Sequence, residues 1–424
     1  ELGVSPSEET TALYDKIRAL STISDGTQES LAPIEEDNQS RWSEPVMNLP
    51  IPVTAFVGRV EGLVELDRLL NDPDCRLLTL IGPGGIGKTR LAIQAAQNLF
   101  ADTRGWEMFT DGVAFVRLIA VSSLPQLASE ILETLELPAL PSEEAQHRLL
   151  SSLQDKRMLL VLDNFEHFLA GDDDEKTGRR VEGKPSGGAG LIAELLETAA
   201  GIKIVVTSRE ALNLHGEWIY TVQGMRYPSA EYDDGVDNWS AFSAVQLFAQ
   251  GARRVNPHFS LIEEKECVLT ICHLVEGMPL ALELASAWLK VLSCAEIAEE
   301  IEKSIDVLVT SLRDVPIRHR SIRAVFESSY QMLIEREQEI LRYLSLIQGG
   351  FGQELAEAVA GASLLDITTL VEKSLLRPIK DGRIRMHALL RQYAFEKLEA
   401  RPQEMQIALN RYKAYKTKKI AIYS

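Results

Sequence analysis

The chain has 424 residues, 45% hydrophobic and 25% charged, a balance that excludes fibrous and disordered classes and a length that calls for about two to four domains. Its formal net charge of −18 repels polyanions, so direct nucleic-acid binding by the chain as a whole is disfavoured. No apolar run approaches the roughly 18–20 residues needed to cross a bilayer, and no basic start leads into an apolar N-terminal stretch, so the reading is cytoplasmic, without a membrane partner.

The sequence opens at Glu1 without methionine and stops abruptly after Arg411 to Ser424, which reads as a piece of a longer protein. Residues 21–50 are rich in Ser, Thr, Pro, Glu, Asp and Asn, the signature of a linker, with a boundary near Leu49. From Leu77 to Val222 short aliphatic runs alternate with helical patterns: Leu77 to Ile81, Val113 to Leu118, Met158 to Leu162, Lys203 to Thr207 and Trp218 to Val222. Such alternation predicts an α/β domain, a parallel sheet with helices on both faces. Between Leu169 and Gly190 a Gly/Asp-rich composition cannot bury a core and reads as a mobile surface insertion.

From about Ala241 to Val315 helical periodicity takes over, with Ser243, Ala244, Leu247, Phe248 and Ala252 as one apolar stripe. Further helices lead to Leu376 to Ile379 and Arg383 to Met386 around Asp381-Gly382, a hairpin signal. Helices ending in a hairpin predict a winged-helix domain. The expected domains are therefore 1–48 (the end of an upstream helical domain plus linker), 49–225 (sheet), 226–315 (helical), 316–400 (winged helix) and 401–424 (the start of a further helical region). Cys75, Cys267, Cys272 and Cys294 form neither a CxxC pair nor a Cys/His set with zinc spacing, and read as ordinary thiols of a reducing compartment.

Gly82-Pro83-Gly84-Gly85-Ile86-Gly87-Lys88-Thr89 matches GxxxxGK[ST] between an apolar strand and the helix Lys88 to Phe100, the context a phosphate-binding loop requires. Its glycines let backbone N–H groups form an anion nest, and the helix N-terminus adds positive potential. Lys88 is then the phosphate contact and Thr89 a Mg²⁺ ligand, with Arg90 next in line on the helix. A second carboxylate is expected on a neighbouring strand, and Met158 to Asp163 supplies it. Asp163 is the candidate metal-holding residue, although a strand-end aspartate can also be a turn residue. Asn164 follows instead of a second acid, which leaves the water-activating base unassigned. Glu166 is near in sequence but reads as an exposed loop glutamate. Arg209, just past the carboxyl end of the strand Lys203 to Thr207, faces the ligand edge of a doubly wound sheet and is the candidate γ-phosphate reader. A solvent-facing arginine capping the sheet is the plainer alternative.

Phe56-Val57-Gly58-Arg59-Val60-Glu61, the phosphate loop, Asp163-Asn164, Thr207-Ser208-Arg209, Gly277-Met278-Pro279-Leu280 and Met386-His387-Ala388 occur in the order seen in NB-ARC, or AP-ATPase, members of the STAND NTPases. The resemblance spans about residues 49–400 and is greatest to the bacterial regulators. It implies ATP or ADP with Mg²⁺, Val57 and Arg59 beside the adenine, Pro279 closing over the base, and His387 reaching the β-phosphate. Ala388 and Asn164 depart from the family pattern, which usually has an aspartate after the histidine and a second acid after Asp163. Glu1 to Tyr14 is similar to the last helix of the bacterial transcriptional activation domain in SARP and AfsR-like regulators. The implied function is an ATP/ADP-controlled switch that hydrolyses ATP slowly, self-associates when activated, and answers an inducer sensed by a C-terminal region outside this chain. An immune or cell-death receptor core is the alternative.

Overall fold

The five strands anticipated from apolar runs are all present in the computed structural model, which describes residues 45–121, 123–137, 142–169, 187–228, 236–311, 316, 319–379 and 381–423. The similarity expected at Glu1 to Tyr14 and most of the insertion after Leu169 lie outside the described residues. The first half comprises β1 (Val46–Met47), α1 (Val60–Asn71), β2 (Leu77–Ile81), α2 (Lys88–Leu99), α3 (Thr103–Met108), β3 (Gly112–Arg117), α4 (Leu124–Thr134), α5 (Ser142–Leu153), β4 (Met158–Asp163), α6 (Gly187–Thr198), β5 (Lys203–Ser208) and β6 (Glu217–Thr221).

All six strands are parallel, in the order β1-β3-β4-β5-β2-β6. The inner strands β2 to β5 read as apolar runs because both faces of the sheet are covered there. On one face Leu78, Leu80, Phe115, Val161 and Val205 pack with Leu66 and Leu70 of α1 and Leu91 and Ala95 of α2. The alternate residues Ala114, Val116, Leu160, Leu162, Ile204 and Val206 are also fully buried, and α4 packs onto β3 with α5 and α6 beside it.

Two sequence expectations change at the margins. The stretch expected to be linker up to residue 50 ends in β1, an edge strand pairing Val46 with Gly112 and Met47 with Val113. Two residues are too few to show a period. The insertion also ends earlier than expected, since α6 starts at Gly187 and buries Gly188 and Ala189.

The second half comprises α7 (Ser243–Val255), α8 (Lys265–Leu274), α9 (Pro279–Ser286), α10 (Cys294–Lys303), α11 (Ile322–Gln331), α12 (Glu335–Leu344), β7 (Gly350–Phe351), α13 (Gln353–Ala360), α14 (Leu364–Glu372), β8 (Leu376–Pro378), β9 (Ile384–Met386), α15 (Ala388–Glu399) and α16 (Pro402–Tyr423). The apolar stripe anticipated around Leu247 and Phe248 is the buried face of α7. The hairpin turn expected at Asp381-Gly382 joins β8 to β9, and β7 completes a three-stranded antiparallel sheet in the order β7-β9-β8. One continuous apolar cluster runs from Met225 through α7–α10 into α11–α15, so the helices and the small sheet share a core. Cys267 of α8 and Cys294 of α10 are joined as a disulfide, with Cα atoms 5.9 Å apart. That departs from the reading of four ordinary thiols, because the packing of α8 on α10 brings together two cysteines 27 residues apart. Cys75 and Cys272 are buried and free.

Lys203 fixes the start of β5, the strand that delivers Thr207 and Arg209. It is 5% exposed, and its Nζ donates to the carbonyls of Leu69 (3.3 Å), Leu70 (2.7 Å) and Asp72 (2.8 Å), which closes the C-terminal end of α1. Lys203→Met keeps the apolar stem and removes that donor from three carbonyls. It is expected to destabilise the fold by about 2 kcal/mol, read as a lowered unfolding midpoint, and an unchanged midpoint would contradict this role.

Candidate functional site

The phosphate loop leaves β2 at Ile81 and enters α2 at Lys88. Gly85 and Gly87 adopt φ of +76° and +90°, a region that a side chain resists. Gly87 is also the N-cap of α2 and no side chain caps that helix, so its first N–H groups are offered to an anion. Lys88 is buried, with Nζ 2.6 Å from the Gly82 carbonyl and 3.1 Å from that of Pro83.

The strand order corrects one expectation. Asp163 ends β4, which does not neighbour β2, because β5 lies between them. The register nevertheless aligns Asp163 with Thr207, and Ser208 with Ile81, along the carboxyl edge. There the Asp163 carboxylate accepts from Thr89 Oγ1 at 2.5 Å and Thr207 Oγ1 at 2.7 Å. The intervening strand thus supplies a second hydroxyl to the same carboxylate, while Thr89 of α2 reaches it directly. A hydroxyl and a carboxylate in contact beside an anion cradle are the hard oxygen donors that Mg²⁺ prefers, so Thr89 and Asp163 fit that ion.

Arg209 follows Ser208 directly and is 9% exposed, which removes the solvent-facing alternative. Its Nε lies 3.1 Å from Glu166 Oε1, while Nη1 and Nη2 donate to Ser329 (2.6 Å) and Ser328 (3.3 Å) of α11. Glu166, expected to be exposed, is 1% exposed. The reason lies in the backbone at Asn164, which takes φ 68° and ψ 52° and turns the chain into a 3-10 segment, Phe165–Phe168, folded against the sheet. Burial opposes ionisation of Glu166, yet Lys88 and then Arg209 outweigh it and hold its carboxyl below the usual carboxylate range.

The second half of the chain covers this loop. Leu280 N donates to the Gly85 carbonyl at 3.3 Å, and Pro279 Cγ would stand 3.7 Å from a Cβ on Gly87. A Cβ on Gly84 would collide with Cγ1 of Val325 in α11. Pro279 is the first residue of α9, and a 3-10 turn follows after Ser286. The turn into α9 depends on Gly277, whose φ is +65° and whose missing side chain admits the carbonyl of Met225.

Val57, Arg59, Gly87, Arg90 and Pro279 line one small cavity of about 40 Å³. The three residues expected around the base, Val57, Arg59 and Pro279, therefore share one cavity, with Gly87 and Arg90 beside them. Their cavity is nonetheless far below the roughly 300–1,000 Å³ of a ligand pocket, too small for a base in this arrangement. Arg90 donates to the carbonyls of Thr54 and Ala55 and straps the preceding segment to α2. The Arg59 guanidinium bonds the carbonyls of Ile86 and Gln223, and burial lowers it to about 10. On its other side Arg59 borders a larger cavity of about 480 Å³ with Glu61, Tyr220, Arg226 and Phe242.

His387 caps α15, with its Nδ1 accepting from Leu389 N at 3.3 Å. Its Nε2 is buried, with the backbone of Val275 facing the ring. Beside it lies Glu276, 3% exposed, which accepts from Arg377 (2.9 Å), Arg385 (2.8 Å) and the Ala388 N–H (3.1 Å). A carboxylate from the turn before α9 thus contacts the backbone at the position where an aspartate is missing. Sequence reasoning missed Glu276, Thr207, Ser328, Ser329 and Val325. Thr207 alone carried a signal, as a polar residue ending an apolar strand.

A family model described as the NB-ARC domain matches residues 60–166. The chain is 34% identical over 336 residues to a Mycobacterium tuberculosis protein assigned by name to the HTH-type transcriptional regulators, a match covering 76% of this chain and 34% of that protein. It is 26% identical over 449 residues to the regulatory protein AfsR of Streptomyces griseus, covering 97% of this chain and 39% of that one. The chain thus spans about a third of the length of the regulators it matches. Among solved structures, a STAND protein with a tetratricopeptide repeat sensor from Pyrococcus horikoshii aligns with 90% of this chain and 47% of its own, at 17% identity and a TM-score of 0.33.

Burial lowers the pKa of His387, which Glu276 only partly offsets. Below its ordinary value of about 6.5 the unfolded chain therefore binds a proton that the folded chain resists. Stability from this group is full above pH 6.5 and declines as pH falls below it. The unfolding midpoint is expected to drop between about pH 6.5 and 5, and His387→Leu is expected to flatten that slope. An identical slope in the variant would show that another group is responsible.

Proposed function

The chain carries an NB-ARC domain of the STAND class, similar to the AfsR-type bacterial regulators, and on that premise we propose that it is the ATP/ADP-controlled switch core of such a regulator. The observation that carries this reading is the crowding of Leu280, Pro279 and Val325 onto Gly84, Gly85 and Gly87. Any group bound in the glycine cradle changes what α9 and α11 can touch, so nucleotide state and the arrangement of the two halves are one equilibrium. A ligand moves such an equilibrium only by its differential affinity for the two arrangements.

In this reading Lys88 and the loop from Gly82 to Gly87 hold the phosphates, and Val57, Arg59, Arg90 and Pro279 border the base. Thr89 and Asp163 hold Mg²⁺, which when bound offsets phosphate charge. Arg209 meets the γ-phosphate. His387 of the winged-helix region, buried beside Glu276 and the turn into α9, is the third contact of ADP and keeps the closed arrangement. ATP favours opening and self-association, and slow hydrolysis restores the closed form. The inducer and the transcriptional output belong to parts of a longer protein, as the greater length of the regulators suggests. The acidic balance of this segment speaks against its being the DNA reader.

The test is the identity of the bound nucleotide. Denatured protein is expected to release ADP onto an ion-exchange column, Lys88→Ala to release none, and His387→Ala to let ADP escape at least several-fold faster. A preparation that neither contains nucleotide nor binds added ADP or ATP would defeat this reading.

A further inference from the structure

A water-activating group is missing from the position after Asp163, and the geometry around Asn164 accounts for its absence there. Asn164 sits in the left-handed region, where asparagine is enriched several-fold among non-glycine residues. Its N–H donates to Thr207 Oγ1 at 3.1 Å, and its amide Nδ2 lies 3.3 Å from Glu166 Oε1. The residue is committed to the turn. What the turn delivers two residues later is Glu166, brought back to the carboxyl edge of the sheet.

Glu166 has the attributes of a reserved carboxylate. Its side chain is 1% exposed, Oε1 meets Arg209 Nε, and Oε2 is buried with no hydrogen-bond partner. A buried carboxylate oxygen without a partner is costly, so it marks a place where a donor is wanted. The neighbours are not those of a plain structural ion pair. Lys88 and Arg209 both favour the ionised form of Glu166, and these are the two cations placed at the phosphates in the proposed function.

We propose that Glu166 is the general base for ATP hydrolysis, with Oε2 receiving the proton of the attacking water. The inference rests on the reading of the site as an ATP-hydrolysing switch and adds the residue that reading leaves open. As the water oxygen forms its bond to the γ-phosphorus, its proton passes to the Glu166 carboxylate. The bond from that phosphorus to the β,γ-bridging oxygen breaks, and its electron pair leaves with ADP. Glu166 then returns the proton to solvent, so ATP and water give ADP, phosphate and one proton. Asn164 and Arg209 are positioning residues for this carboxylate, because both touch Oε1 and leave Oε2 free.

The test separates binding from turnover in the full chain. Fluorescent ADP and ATP analogues report affinity, and single-turnover phosphate release with saturating ATP and Mg²⁺ reports the chemical step. Glu166→Gln keeps the shape and the acceptor toward Arg209 but cannot take a proton. It is expected to bind both nucleotides within about threefold of the parent and to hydrolyse ATP at least about 100-fold more slowly, within the range of a lost general base. Glu166→Asp, which retains a carboxylate, is expected to recover part of that rate. Hydrolysis by Glu166→Gln within threefold of the parent would overturn the assignment, as would loss of nucleotide binding in parallel with loss of rate, which would mark a structural ion pair. If the parent chain itself bound no nucleotide, the switch reading would fall first and this inference with it. Normal binding with undiminished hydrolysis in Glu166→Gln would remove the inference alone.

Discussion

The constraint on which the rest of the structure depends is that two surfaces compete for the same glycines. Gly84 and Gly85 have no side chains, which lets the loop curl into an anion cradle. The same bareness lets Val325 and Leu280 press against the backbone from outside. A loop with larger residues could not satisfy both demands. The cradle is therefore not an appendage on the edge of a sheet. It is the place where the two halves meet, and its backbone Gly85 carbonyl is already bonded to the first turn of α9.

Around that contact the polar groups follow a pattern. Two glutamates, Glu166 and Glu276, are nearly inaccessible to water, and each is answered by arginine: Arg209 for the first, Arg377 and Arg385 for the second. Desolvating such charges cancels much of their mutual attraction, so buried pairs contribute little net stability, whereas removing one partner is expensive. Apolar packing through the shared core supplies adhesion between the helices and the small sheet. The ion pairs instead fix which surfaces face each other. Arg209 shows this best, since it joins Glu166 of the first half to Ser328 and Ser329 of the second.

How much of this was legible in the sequence depended on the range of the forces involved. The four strands β2 to β5 were readable because burial on both faces makes them largely continuous apolar runs, and the edge strand β6 from its aromatic and aliphatic residues. The phosphate loop was readable because its glycines and its lysine must be contiguous, and the Asp381-Gly382 turn because its dihedrals restrict residue choice. Val57, Arg59 and Pro279, drawn from the family pattern and far apart in sequence, share one cavity. Relations set by tertiary packing were not readable. Strand order was one, and it put β5 between Lys88 and Asp163. The disulfide between Cys267 and Cys294 was another. The clearest case is Glu166, taken for a loop residue because nothing local announces that Asn164 turns left-handed and carries it inward.

Glu276 extends this lesson to the position where the chain departs from its family. Ala388 offers no carboxylate beside His387, yet a carboxylate is there, supplied by a residue 112 positions upstream whose Oε1 accepts the Ala388 N–H. Glu276 itself has φ 44° and is followed by Gly277 and then Met278-Pro279. The same short turn therefore holds the backbone at His387 with one end and starts α9 over the phosphate loop with the other. A carboxylate at position 388 would belong to the same helix as the histidine and would move with it. One at 276 belongs to the turn before α9, so it ties that turn to β8, β9 and the start of α15 through three bonds. Those bonds hold the turn and the small sheet as one packed unit, in keeping with the core they share.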